Sequence, residues 1–301
     1  MTTAKIDPVA LMRIRNLQLR AKHVVEGFYS GLHRSPFHGF SVEFSQYRPY
    51  SSGDDPRGID WKLFARTDRY HIKQFEDETS RRCYLVLDQS RSMEFRSIAY
   101  DKAEYARTLA ATLAYFLILQ RDSVGLLTFA DEVIDFIAAR HRPGHFRRML
   151  VALERGQSGT STSLVKPLDK IAQSVRRRGL VIFITDLLAP IEQLQQHLAQ
   201  LRGRGHEVLV LRVLDPGEID LRITQPTLVE DLETGRKIYV DPATAMMQYK
   251  QRFDEHLSQV QQACHTLGCR LRTMVTDQPL DEALFELVHA SAFRGSGRGV
   301  S

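Results

Sequence analysis

The sequence predicts an α/β fold: a central, mostly parallel sheet with one antiparallel strand and helices on both faces. Three observations lead there. From Arg82 onward, short apolar runs alternate with amphipathic segments, as a parallel sheet covered by helices requires. Between those runs, apolar residues recur at helical spacing. One further run, 133–138, follows its predecessor after only the polar turn Asp131-Glu132. A parallel return needs a crossover of a dozen or more residues, so this run pairs antiparallel.

In chain order, Leu11, Ile14, Leu17, Leu19 and Val24 mark one initial helix, and loop-rich, polar-aromatic sequence follows to residue 81. Strands are expected at 83–87, 123–129, 180–185, 208–213 and 270–275. Ala106, Leu109, Leu113, Phe116 and Leu117 place a helix after the first strand. Phe146, Met149, Leu150 and Leu153 place the next, and Leu164, Leu168, Ile171 and Val175 another. Residues 227–240, centred on Glu233-Thr-Gly-Arg236, read as an inserted hairpin. Tyr249, Phe253, Leu257, Val260, Cys264 and Leu267 share one face of a long amphipathic helix, which is expected to pack on the core. The organisation is therefore an N-terminal helix and charged segment over 1–81 packing on the main domain, the sheet domain over 82–290, and a flexible tail over 291–301.

The chemistry concentrates where the first strand ends. Asp88-Gln-Ser90-Arg-Ser92 puts one carboxylate and two hydroxyls on a strand-to-helix loop. Such loops face the crevice at the carboxyl ends of parallel strands, where open α/β sheets bind ligands. Gly159-Thr160 opens a second loop, and Asp186 ends the run 180–185. Oxygen donors from three loops can converge on one hard cation, magnesium or manganese. Asp88, Ser90 and Thr160 also suit helix caps, the structural alternative.

This set resembles the metal-ion-dependent adhesion site of the von Willebrand factor A-like fold: Asp-x-Ser-x-Ser, then Thr, then Asp. The resemblance implies that Ser90, Ser92 and Thr160 ligate Mg²⁺ or Mn²⁺ directly, with Asp88 and Asp186 contacting the ion or its water. It also implies one antiparallel strand where 133–138 falls. Neutral hydroxyls leave such an ion electron-poor, so it takes a further anionic ligand, typically an acidic residue of a partner protein.

A second signature lies upstream. Arg48-Pro-Tyr-Ser-Ser-Gly53-Asp54-Asp55-Pro-Arg57-Gly-Ile-Asp60-Trp61-Lys62 runs on to Arg66 and contains the chain's one tryptophan. With Gly39-Phe40, Glu43-Phe44 and Phe75-Glu76-Asp-Glu78, it resembles the bacterial family of unknown function 58, over roughly residues 30–290. That resemblance implies an adaptor working with a MoxR-type AAA ATPase in chaperone-like assembly or maturation. Many members carry two membrane helices before this block, and this sequence does not. Asp54, Asp55 and Asp60 can pair with Arg48, Arg57 and Arg66 to clamp an irregular segment.

Composition sets the outer bounds. With 43% hydrophobic and 26% charged residues, the chain is expected to fold as a soluble protein. A net charge of +5, spread along the sequence, gives no indication of nucleic-acid binding. Cys83, Cys264 and Cys269 show neither metal-ligand spacing nor an even count, which fits a reducing compartment, and no apolar window spans a bilayer. A cytoplasmic location is expected. Neither a Gly-x-Ser-x-Gly elbow nor a phosphate-binding Gly-x-x-x-x-Gly-Lys-Ser/Thr loop is present. The function expected is a non-enzymatic, metal-dependent adaptor docking an acidic residue of an ATPase or its client. The alternative is a magnesium-dependent hydrolase or phosphoryl-transfer enzyme using Asp88 and Asp186.

Overall fold

The computed structural model describes residues 6–34, 47–49, 64, 66, 69–73, 81–130, 132–155, 178–188, 191–221, 224–230 and 235–295. Two compact units emerge, residues 35–80 and the remainder of the chain. In the smaller, β1 (Tyr47–Pro49) pairs antiparallel with β2 (His71–Lys73), and the rings of Phe64 and Tyr70 stack at 4.5 Å. The charged block from Tyr50 to Lys62 and its expected clamping pairs lie outside the described residues, as does the helix expected over 164–175.

The larger unit opens with two helices where one was expected, α1 (Pro8–Met12) and α2 (Leu17–Arg34). The break has a local cause. Asn16 accepts the Leu19 N–H on Oδ1 at 2.9 Å, starting a new helix. The Arg20 guanidinium then collects carbonyls freed at the end of α1, bonding Met12 O at 2.7 Å and Ile14 O. Leu19 consequently leaves the apolar face and stands 54% exposed.

The main sheet contains β3 (Arg82–Asp88), β4 (Ser123–Phe129), β5 (Val133–Arg140), β6 (Leu180–Thr185), β7 (Glu207–Leu214) and β10 (Arg270–Val275). Its order is β10-β7-β6-β3-β4-β5. Neighbours are parallel except β5, which returns antiparallel on β4, as its short turn demands. The hairpin also forms, β8 (Thr227–Glu230) against β9 (Lys237–Val240).

Alternation along the strands divides two cores. Cys83, Leu85 and Leu87 face one side, with α1, α2, α3 (Lys102–Leu119), α4 (His145–Glu154) and α8 (Asp281–Gly295). Tyr84 and Val86 face the other, with α5 (Ile191–Gly203) and α7 (Pro242–Thr266). A four-residue helix, α6 (Pro216–Ile219), follows β7. Helix α8 continues through Gly295, so part of the expected tail is helical. The three cysteines are buried free thiols, and no described helix is long and apolar enough to cross a membrane.

Candidate metal centre

Strand β3 sits mid-sheet. The chain leaves it toward β4 and β5 on one side and later fills β6, β7 and β10 on the other. The carboxyl ends of β3 and β6 therefore form a topological switch point, where open sheets present their ligand crevice. Asp88 is the last residue of β3 and Asp186 directly follows β6.

Four of the five expected donors lie in described loops, and all four are buried. Asp88 Oδ1 accepts the Ser90 N–H at 2.9 Å, and its Oδ2 accepts the Thr185 hydroxyl at 2.6 Å. These bonds fix the carboxylate and turn the chain into the 3₁₀ segment Arg91–Glu94. The Ser90 and Ser92 hydroxyl oxygens lie 3.0 Å apart. Two oxygens bound to one ion at right angles and about 2.1 Å have roughly that separation, so the pair fits adjacent positions on magnesium. Thr160 lies outside the described residues.

Asp186 is held from several sides. Its Oδ2 accepts from the Lys102 ammonium at 2.9 Å, its Oδ1 from the Leu188 N–H at 3.3 Å, and its carbonyl from Arg212 Nε at 3.2 Å. The next residue, Leu187, takes φ 60°, a left-handed conformation that costs a side-chain-bearing residue roughly 1 kcal/mol or more. The Leu187 N–H donates to Thr185 Oγ1 at 3.1 Å, helping to hold that conformation.

Of the two buried carboxylates, Asp186 has an ammonium partner and, among the described residues, Asp88 has none. Burial, followed by repulsion from Asp186, pushes the Asp88 carboxyl up to about 7. Lys102 is a buried cation nearby, 0% exposed on the first turn of α3. It bonds both Asp186 and, at 2.6 Å, Glu218 Oε1. Burial alone would pull this ammonium down, but the two carboxylates outweigh it and leave its pKa raised. Two carboxylates and two hydroxyls in this setting suit a hard dication. Among the described residues no group of three or more His, Cys, Asp or Glu could hold a metal.

The sequence reading missed this supporting set. Asp215 is buried after β7, accepting the Ser97 N–H at 3.0 Å and the Gly217 N–H at 2.8 Å. Glu218 completes a capping box by accepting the Asp215 N–H at 2.9 Å while it also pairs with Lys102. A Cβ on Gly217 would lie 2.6 Å from Ser97 Cβ, so only glycine lets these loops close. The available signals were Asp-Pro-x-Glu after a strand and a lysine at the start of an apolar helix.

The single antiparallel edge strand, the helices on both faces and the oxygen-rich switch point define a von Willebrand factor A-like domain. The chain belongs to the family described as "Protein of unknown function DUF58", whose model matches residues 46–263. An uncharacterized protein of Mycobacterium tuberculosis (strain H37Rv) is 28% identical over 296 residues, covering 97% of this chain and 92% of that protein. Similar solved structures include conserved hypothetical protein BatB from Bacteroides thetaiotaomicron. It has TM-score 0.48 and 18% identity, covering 71% of this chain and 99% of that one. Another is an aerotolerance-related membrane protein from Bacteroides fragilis, with TM-score 0.45 and 15% identity, covering 69% and 98%.

Proposed function

We propose that this protein is a non-enzymatic adaptor whose von Willebrand factor A-like domain docks partners through a divalent ion, Mg²⁺ or Mn²⁺. Asp88, Ser90, Ser92, Thr160 and Asp186 would hold the ion, which when bound offers a coordination position to a partner's carboxylate. The observation that carries the reading is the pair of serine hydroxyls 3.0 Å apart beside two buried carboxylates at the switch point. Asp88 is oriented by Thr185 and Ser90, and Asp186 by Lys102, so the donors are set before the partner arrives. The partner we propose is a MoxR-type AAA ATPase, or its client, in chaperone-like assembly, as the resemblance of the upstream charged block implies.

The test is capture of a MoxR-type ATPase by the full chain in magnesium and in chelator, repeated with Ser90→Ala plus Ser92→Ala. If a partner carboxylate completes the ion's shell, the double variant loses roughly thirty-fold or more in affinity. Equal capture by variant and wild type in magnesium would reject metal-mediated docking. Metal-dependent phosphoester turnover, abolished in Asp186→Ala, would replace the adaptor reading with an enzyme.

A further inference from the structure

We infer that the groove between β5 and α4 is a docking surface for an extended, acidic segment of a partner protein. The groove encloses about 410 Å³, and its lining includes Asp135 and Ile137 of β5, Arg147, Arg148 and Val151 of α4 and Arg155 at its C-cap.

The helix starts against its own electrostatics. Its N-cap is Gly144 at φ 75°, with no side-chain cap, and its first turn holds no acidic residue. Arg147 and Arg148 stand there instead, cations at the positive end of the helix dipole. Among the described residues neither has a carboxylate partner. Among the described residues Arg155 has only Asp135 at 3.6 Å, and its own side chain is 63% exposed, so that pair contributes little. A surface that gives up local stability without compensation among the described residues is suited to compensation from outside. An anion would relieve Arg147, Arg148 and the helix N-terminus together, and a chain carrying several anions would also reach Arg155.

Two further observations specify a polypeptide. Strand β5 ends the sheet and, among the described residues, pairs only with β4, so its outer edge can add a strand. Asp135 Oδ2 is buried without a hydrogen-bond partner. A peptide brings N–H donors along with its carboxylates, whereas a phosphodiester backbone brings none. From Gly144 to Arg155 the helix runs about 16 Å, the length of about five extended residues. Val151, 46% exposed, offers an apolar contact between the charges. None of this depends on the metal centre.

The test is fluorescence anisotropy of the full chain with a short labelled peptide of alternating Glu and Val, beside an oligothymidylate of equal charge, both in chelator. The peptide is expected to bind, the oligothymidylate to bind about tenfold more weakly or worse, and Arg147→Glu with Arg148→Glu to lose at least about tenfold in peptide affinity. Arg155→Gln, at the other end, should lose about threefold. Unchanged affinity in the double variant, an oligothymidylate binding as tightly as the peptide, or loss of peptide binding in chelator would each overturn the proposal.

Discussion

Replacing Lys102 with Met removes the ammonium and keeps most of the stem's bulk. The lysine is 0% exposed and lies 2.9 Å from Asp186 and 2.6 Å from Glu218, so the change leaves one fully buried and one largely buried carboxylate without the ammonium that hydrogen-bonds them, Arg212 remaining as a further cation. Breaking a buried pair from one side costs about 3 to 5 kcal/mol; Glu218 retains 14% side-chain exposure, which favours the lower end. About 3 kcal/mol lowers the melting temperature of a 301-residue chain by roughly 5 °C. Magnesium should reverse much of that, because Lys102 and the ion draw on the same Asp186 carboxylate. At a hundredfold excess over its Kd an ion returns about 2.7 kcal/mol. Removing the competing ammonium should therefore tighten magnesium binding while weakening the metal-free fold. Adding Glu218→Gln to the variant should restore part of the loss, since one stranded charge disappears. Calorimetric melting and titration read both effects. A Lys102→Met protein that melts within about 1 °C of wild type in chelator, or binds magnesium no more tightly, would refute this account of the charge balance.

Two other outcomes follow from groups away from the site. Asp122 accepts the Arg81 N–H at 2.8 Å, and burial, opposed by that bond, pushes its carboxyl up to about 6. A raised acid favours the fold below its unfolded value near 4 and loses that contribution as pH rises through about 6. Asp122→Asn, whose carbonyl can keep the bond, should therefore gain stability over wild type as pH rises from about 4 to about 6 and hold that advantage above it; denaturant midpoints showing no such divergence would contradict the assignment. Arg20→Met should cost about 2 to 3 kcal/mol in chemical denaturation, because it strands the Met12 carbonyl and the Glu104 carboxylate. A loss under about 0.5 kcal/mol would show that Arg20 does not anchor α1.

Strands β4 and β6 were legible because burial on both faces makes them nearly continuous apolar runs, and they fall on the residues expected, as does the edge strand β10, of which only Met274 is buried. The antiparallel β5 was legible from turn length alone. The N-terminal break was not, since Leu11, Ile14 and Leu17 keep a helical rhythm across it while an arginine and an asparagine end one helix and start the next. At the site, Asp88, Ser90, Ser92 and Asp186 carried a local pattern. Lys102, Asp215 and Glu218 did not, because their roles arise from contacts such as the Lys102–Glu218 pair, 116 residues apart in sequence, which periodicity cannot report.

Titrating the full chain with magnesium and manganese by calorimetry tests the central claim most directly. Wild type is expected to bind one ion, and Asp88→Ala and Asp186→Ala are each expected to abolish the binding heat, with both variants shown to be folded by circular dichroism. Asp88→Ala binding the ion as tightly as wild type would contradict the assignment of the metal centre to the switch point.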